Sequence, residues 1–442
     1  MEKNIFKYKN YKHIDKKRKI DEIKDLVKNK NFITKHGFYP FLSYTDLSEK
    51  YVKIGKNEYR RKEKERPIKY ASHIDRYIYQ WYSYLFNNKY NEYCNIHNLN
   101  KSVIAYRTCM KGKTNIEFSK VAFDYIKHTK ECYVLVSDFS NFFDNIEHSL
   151  LKENICRILN VEKMEDDYYK VYKSMTSYSY IEKDVIIQYL IENNIETFES
   201  LKKCDSLLDN TEWKKVKKDL KNSIIKNKKT YGIPQGSPLS GIFANIYMID
   251  FDEKMSQFAK INGGIYMRYS DDIIIVIPKS KIHSISTIWN EIEKVKKDYS
   301  TMIINIDKTC GYLYQNNEII SLHNELLGMK NGKRCISYLG FSFDGKNIKF
   351  RNKTLTKFFN KLYKKIDYML EREKKRIEVG KKRHTKIDKH QIIKEVTRIN
   401  SKSRKFIDYV NRATKVYPNE KYICGFKREV KEKIFNRFNK AN

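Results

Sequence analysis

Three aspartates in this chain stand where apolar, β-branched runs give way to turns. Asp271 and Asp272 lie in Tyr266-Met-Arg-Tyr-Ser-Asp-Asp-Ile-Ile-Ile-Val-Ile-Pro278, and Asp138 ends Cys132-Tyr-Val-Leu-Val-Ser-Asp138. The first run reads as two short strands joined at Ser270-Asp271-Asp272. Ile273 to Ile277 is β-branched throughout and stops at Pro278, the pattern of a buried strand. Adjacent carboxylates at the tip of a buried hairpin repel each other and are hard to desolvate unless a cation neutralises them. Hard Mg²⁺ answers that need, because it takes one or two carboxylates together with substrate phosphates. Three strand-end carboxylates are the donor set for two-metal phosphoryl or nucleotidyl transfer. One ion activates an attacking 3′-hydroxyl and the other stabilises a leaving pyrophosphate, with shared carboxylates holding the pair about 4 Å apart. Such chemistry depends on positioning and charge neutralisation rather than on a covalent nucleophile.

Several elements must position these groups. Residues 1 to about 60 are lysine-rich and weakly periodic, an amphipathic, partly extended leader. Arg61 to Tyr70 is a basic segment turning into a short strand. Ser72 opens a helix with Ile74, Ile78, Trp81 and Leu85 on one face and Asp75 in its first turn. A strand-like segment around Tyr106-Arg107 runs into Lys111-Gly-Lys-Thr114, where Thr114 and Glu117 form a capping-box pattern. A basic loop feeding a helix start is either a plain cap or a phosphate cradle. After Asp138, Phe139-Ser-Asn-Phe-Phe143-Asp144 leads into a helix, and residues 152 to about 230 read as mostly helical and charged. Tyr231-Gly-Ile-Pro-Gln-Gly-Ser-Pro-Leu-Ser240 packs two glycines and two prolines into ten residues, a loop of fixed backbone shape that launches an apolar helix. Ile303 to Lys308 and Ser337 to Phe343 read as further strands, and a helix from Leu355 turns Phe358, Leu362, Ile366 and Met369 inward, ending near Gly380.

The composition limits what these elements serve. The 442 residues suit two or three domains, and 89 Lys+Arg against 54 Asp+Glu give a formal charge of +35. That excess points to a polyanion, most simply nucleic acid, bound with steep salt dependence. Residues 351–442 hold 29 basic and 10 acidic side chains, so about +19 of the excess sits there. The amino terminus has no apolar signal core, and no apolar run reaches the roughly eighteen residues of a membrane span. Eight scattered cysteines without C-x-x-C pairs argue for reduced thiols and a cytoplasmic protein, and against a zinc site.

The order Asp138-Phe-Ser-Asn-Phe-Phe-Asp144, Gly232-Ile-Pro-Gln-Gly-Ser-Pro-Leu-Ser240, Tyr269-Ser-Asp-Asp272, Lys308 and Tyr338-Leu-Gly-Phe341 resembles motifs A to E of the reverse-transcriptase palm. Arg66-Pro-Ile and Tyr106-Arg-Thr-Cys-Met-Lys-Gly-Lys resemble the finger motifs upstream, so the resemblance covers roughly residues 60 to 345. It implies an α+β right-hand polymerase: a basic extension over 1–60, fingers over 61–130, a palm with an antiparallel sheet over 131–350 with a helical insertion at about 152–230, and a basic helical thumb over 351–442. It implies an RNA-directed DNA polymerase with Asp138, Asp271 and Asp272 as ligands of two Mg²⁺ ions, or Mn²⁺ in their place. Phe143 would be the aromatic gate against a ribose 2′-hydroxyl, with Phe139 also at the nucleotide, and Gln235 and Gly236 the floor under the nascent pair. Arg66 and Arg76 would reach the triphosphate. Lys308 would act as a proton donor near the pyrophosphate, and Tyr338, Leu339, Gly340 and Phe341 would grip the primer.

Within reverse transcriptases, Arg66 to Arg76, Tyr106-Arg107 and the stretch Tyr172 to Tyr180 look most like the bacterial defence-associated and abortive-infection enzymes. That likeness implies antiphage defence, an RNA template that is a dedicated non-coding RNA, a DNA primer or product, deoxynucleotides, and assembly as a homo-oligomer or with a partner protein, without a membrane. Retron or group II intron-like enzymes, template-independent or protein-primed polymerases, and a non-catalytic RNA-binding scaffold are the alternatives. The scaffold is disfavoured because none of the three carboxylates is missing.

Overall fold

The computed structural model describes residues 5–53, 59–328, 332, 334–379 and 406–439. The expected helix end at Gly380 and the lysine-rich stretch 381–405 lie outside the described residues. The chain forms two compact units, each built from separated stretches: Met1–Lys111, Phe139–Lys254 and Lys294–Ile304 in the first, and Gly112–Asp138, Met255–Glu293 and Asn305–Asn442 in the second. Helices and largely antiparallel sheets make an α+β fold. Among the described residues no helix is long and apolar enough to cross a membrane, and all eight cysteines are free.

In the first unit, the expected leader is part of the core. Helices Ile20–Lys28 and Lys30–Lys35 bury Ile23, Val27 and Ile33, and Phe41–Lys53 pairs antiparallel with Tyr59–Tyr70, Leu42 opposite Tyr70. Arg60 to Arg66 is an unbroken run of seven charged residues, which hides most of the second strand from a search for apolar periodicity. Helix His73–Ile96 starts at Ser72, whose Oγ accepts the N–H of Asp75 (3.2 Å). Its buried stripe runs Ile74, Ile78, Tyr82 and Phe86, while Trp81 and Leu85 are only half-buried. The stripe was misread because tyrosines carry the core here: Tyr82 reaches Asp167 (2.6 Å) and Tyr79 reaches Ser174 (3.1 Å), so their hydroxyls are satisfied when buried. The stretch 152–230 is helical as expected, with two additions. Strand Ser179–Glu182 pairs parallel with Phe41–Lys53 and antiparallel with Ile225–Lys226. Helices Lys183–Glu192, Phe198–Lys203 and Asn210–Asp219 close over Ile186, Leu190 and Trp213, in one cluster with Ile14 and Leu42.

The second unit is organised on an antiparallel sheet in the order Glu318–Ser321, Cys310–Gln315, Cys132–Ser140, Asp272–Pro278, Ile265–Tyr269. Ile273 to Ile277 are at most 1% exposed, and burial of each such side chain contributes about 1.5–3 kcal/mol. A three-stranded meander, Ile336–Tyr338, Phe341–Phe343 and Ile348–Phe350, follows, then helix Asn352–Glu378 and helices Phe406–Val416, Lys421–Cys424 and Phe426–Asn439. The predicted strand through Ile303–Lys308 is shorter than expected: only Ile303–Ile304 is extended, and Ile306–Lys308 is a 3₁₀ turn.

Candidate active site

The carboxylates belong to the second unit. Asp138 and Asp272 are directly opposite in the antiparallel pair of Cys132–Ser140 with Asp272–Pro278, so their side chains project from the same face of the sheet. Asp271 precedes Asp272 in the turn. Ser270 supports that turn in a left-handed conformation (φ +60°), and the fully buried Arg268 donates from a guanidinium N–H to the Ser270 carbonyl (3.1 Å). Asp138 is 6% exposed. Its Oδ2 accepts from the Lys308 ammonium, and its Oδ1 is buried with no hydrogen-bond partner. Its backbone is fixed by the Asn305 N–H, which donates to the Asp138 carbonyl (2.9 Å).

Charge is poorly compensated there. Burial raises the Asp271 carboxyl above the ordinary carboxylate range, with the Asp138 charge adding to it and Lys308 opposing. Burial, then the Asp271 and Asp138 charges, push Asp272 up to about 7 against the pull of Lys308 and Arg351. A buried acceptor without a donor and two carboxylates held against ionisation fit a hard divalent cation. Among the described residues no three His, Cys, Asp or Glu side chains are already drawn around one point. The donors fit such an ion, and Lys308, expected at the pyrophosphate, stands against Asp138 as its counter-charge.

The turn Tyr338–Phe341 closes the first hairpin of the meander. Leu339 (φ +45°) and Gly340 (φ +91°) both need left-handed backbone, the requirement of a tight two-residue turn. Asn115 ties it down, its amide donating to the Leu339 carbonyl (2.8 Å) and to the Tyr409 hydroxyl (2.9 Å). Tyr338 and Phe341 are buried, Phe341 against Phe350, Tyr409 and Tyr417. Only the turn backbone is left to meet a ligand. Nearby, the Thr114 to Glu117 box forms as expected (Thr114 N–H to Glu117 Oε2, 2.6 Å). Arg412 pairs with the same Glu117 (2.8 Å), so this helix start is a cap and not a phosphate cradle.

The first unit carries the loop Tyr231–Ser240. Its start is joined to the segment after Phe142: the Ile233 N–H donates to the Phe143 carbonyl (2.9 Å), and the Gly232 N–H to Ile146 (2.8 Å). The Lys69 N–H donates to the Gln235 carbonyl (2.9 Å). Gly236 (φ +126°) passes so close that a Cβ would stand 2.6 Å from the Lys69 carbonyl oxygen. Ser240 Oγ donates to the Pro234 carbonyl (2.6 Å). These bonds bring Phe143, Gln235 and Gly236 to one open cavity of about 310 Å³, shared with Tyr106 and Asn87. Phe143 is half-buried on it, whereas Phe142 is buried in the core.

Three expected nucleotide contacts are placed differently from one another. Arg66 is exposed on strand Tyr59–Tyr70, opposite Asp46. Arg76 is 8% exposed, its guanidinium donates to the Lys7 carbonyl, and burial holds its pKa below the usual value. It packs the amino-terminal strap against helix His73–Ile96 and is not free for a phosphate. Phe139 is buried against Phe142 and Phe251 (ring centroids 5.8 and 5.5 Å), so its side chain does not line the cavity. Sequence reading missed Tyr106 as a cavity wall. The expected strand there is a bend with Tyr106 at φ +59°, followed by a 3₁₀ turn Thr108–Met110. The Tyr106 ring lies over Gly241, where a Cβ would meet it at 2.7 Å. Arg268 and Asn115 were missed too, and only their nearness to motif residues could have signalled them.

No curated protein sequence matches the chain. Among solved structures it is similar to telomerase from Candida albicans in complex with the TWJ fragment of telomeric RNA (14% identity, 92% of this chain and 62% of that chain, TM-score 0.39). It is also similar to apo telomerase from Candida tropicalis, full (13% identity, 77% and 56%, TM-score 0.36) and truncated of its C-terminal domain (13%, 75% and 60%, TM-score 0.38). The chain therefore spans 56–62% of the length of those telomerase chains. The family model described as reverse transcriptase (RNA-dependent DNA polymerase) matches residues 54–343, about two thirds of the sequence and all of the motifs above. This chain belongs to the reverse transcriptase family.

Proposed function

We propose that the protein is an RNA-directed DNA polymerase that extends a 3′-hydroxyl with deoxynucleotides on an RNA template. The observation that carries this reading is the pairing of Asp138 with Asp272 across one strand pair, with Asp271 beside them and Asp138 Oδ1 unpartnered. Two divalent ions, Mg²⁺ or Mn²⁺, would lower the pKa of the primer hydroxyl and neutralise the leaving pyrophosphate when bound there. Asp138, Asp271 and Asp272 are their ligands in this reading. Lys308 keeps Asp138 neutralised in the ion-free state and is then released to hold a proton for the leaving group. Phe143 rejects a ribose 2′-hydroxyl, Gln235 and Gly236 support the nascent pair, Arg66 holds the triphosphate, and the backbone of Tyr338–Phe341 holds the primer end.

Primer extension on an RNA template tests the assignment. The Asp271→Ala/Asp272→Ala double variant should lose incorporation by about a thousandfold or more, the several kcal/mol that such ions supply. It should still bind RNA. Incorporation at the wild-type rate would end the catalytic reading.

A finer proposal concerns setting. The resemblance of Arg66 to Arg76 and of Tyr172 to Tyr180 to defence-associated enzymes supports a cytoplasmic role in bacterial antiphage immunity, with a dedicated non-coding RNA as template. Sequencing the nucleic acid that co-purifies with the protein tests it. One discrete small RNA with complementary DNA is expected, and a random sample of cellular RNA would contradict it.

A further inference from the structure

Residues 210–230 of the first unit carry eight lysines against two carboxylates. On helix Asn210–Asp219 the buried side is taken by Trp213 and Val216, and Lys214, Lys215, Lys217 and Lys218 are exposed. Both carboxylates are engaged: Glu212 accepts the Asp209 N–H (2.6 Å) in a capping box, and Asp219 accepts the Tyr189 hydroxyl. Among the described residues none of the eight lysines forms an ion pair. Asp219 stands four residues after Lys215 but is bonded to Tyr189, and like charges at that spacing are mildly destabilising. Here Lys214 faces Lys218 with no acid between them.

Further along the chain Lys226, Lys228 and Lys229 are exposed as well, and this part is joined to the loop Tyr231–Ser240. Lys226 is in strand register with Ser179. The Asn227 amide donates to the carbonyls of Thr176 (3.0 Å), Tyr231 (3.2 Å) and Gly232 (3.3 Å). Lys229 stands over the Tyr231 ring at 5.1 Å. On the helix, Lys214 to Lys218 span about 6 Å along the axis, enough to meet one or two phosphates of an extended strand, and Lys226 to Lys229 add further contacts.

We infer that this lysine strip is the binding surface for the unpaired RNA template strand approaching the loop that carries Gln235 and Gly236. Lysines hold phosphate without reading bases, so the strip grips template of any sequence. The choice of RNA template as occupant rests on the polymerase reading above, while phosphate recognition follows from the lysines themselves.

The test compares full-length wild type, a Lys214→Gln/Lys215→Gln/Lys217→Gln/Lys218→Gln variant, and a control with the same charge change at exposed Lys24, Lys35, Lys101 and Lys163. Binding of an unstructured single-stranded RNA is measured against salt, without divalent ions or nucleotides. The strip variant should bind about ten- to a hundredfold more weakly near 0.15 M salt, with a log–log slope flatter by about 3, and the control should lose far less. Extension should fall on templates with long unpaired 5′ overhangs and hold on templates with overhangs of one or two nucleotides. Equal losses in the two variants would mean general charge attraction and overturn the inference. So would unchanged RNA binding. If the wild type extends no template, the polymerase reading fails, and the binding comparison still decides whether the strip holds single-stranded RNA.

Discussion

The two units hold their motif residues by opposite means. In the first, the loop Tyr231–Ser240 is tied down by backbone bonds to Phe143, Ile146 and Lys69, so its cavity stands formed without a ligand. In the second, the strand backbones are equally well paired, yet the side chains they present are left in conflict. Asp138 Oδ1 has no donor, and Asp271 and Asp272 are half-buried carboxylates held back from ionisation by desolvation and by neighbouring carboxylate charge. On the proposed polymerase reading, the difference teaches that a surface for a flat base pair can be completed by the chain alone, whereas a centre meant to take up cations has to be left short of positive charge. Lys308 supplies a counter-ion on a side chain that is half exposed, and so can leave.

The comparison breaks first at Gly236. A side chain there meets the Lys69 carbonyl at 2.6 Å on a backbone that L residues rarely adopt, so Gly236→Ala should destabilise the fold by about 2–4 kcal/mol. Denaturant titration checks this, and a loss under about 0.5 kcal/mol would mean that the loop is not held as described. The next effect is on selectivity. Phe143→Ala should leave deoxynucleotide use largely intact while reducing discrimination against ribonucleotides by about ten- to a hundredfold, the range of a steric contact of 1–3 kcal/mol. Unchanged discrimination would remove Phe143 as the gate.

A smaller and more specific effect concerns the strained carboxylates. Burial, then the Asp271 and Asp138 charges, push Asp272 up to about 7 from the ordinary 3.8, so between those values the folded state binds more protons than the unfolded one. Metal-free stability should therefore fall as pH rises from about 4 through 7, where the carboxyl ionises without a partner. Asp272→Asn should flatten that slope and raise the metal-free Tm at pH 8 by a few degrees over wild type. Parallel pH profiles for the two proteins would show that the second unit is under no such tension. Smallest of all, Asn115→Ala removes two hydrogen bonds at the Leu339-Gly340 turn and should cost about 1–2 kcal/mol, read from the denaturation midpoint, with weaker primer binding.

Legibility followed the source of each signal. The run Ile273 to Ile277 and the Gly-Pro loop were readable because burial on both faces and fixed turn geometry restrict composition strongly. The three aspartates followed from them, being the polar ends of apolar strands. Of the hairpin Phe41–Lys53 with Tyr59–Tyr70, only a short strand within Arg61 to Tyr70 was readable; its full length and its partner were not, since pairing through backbone hydrogen bonds leaves charged side chains free to vary. Tyr106 escaped because a lone left-handed residue leaves no periodic trace. Arg76 and Phe139 looked like ligand contacts by motif position alone, and burial, which no motif encodes, decides against their side chains. The division into units was also hidden: the chain crosses between them five times, once between Asp138 and Phe139, inside one strand.

The most direct test of the central claim is anomalous diffraction from crystals grown with Mn²⁺. The account predicts a manganese peak ligated by Asp138 Oδ1 and by Asp271 or Asp272, with the Lys308 ammonium moved off Asp138. Manganese absent from Asp138, with Lys308 still in place at saturating metal, would contradict it.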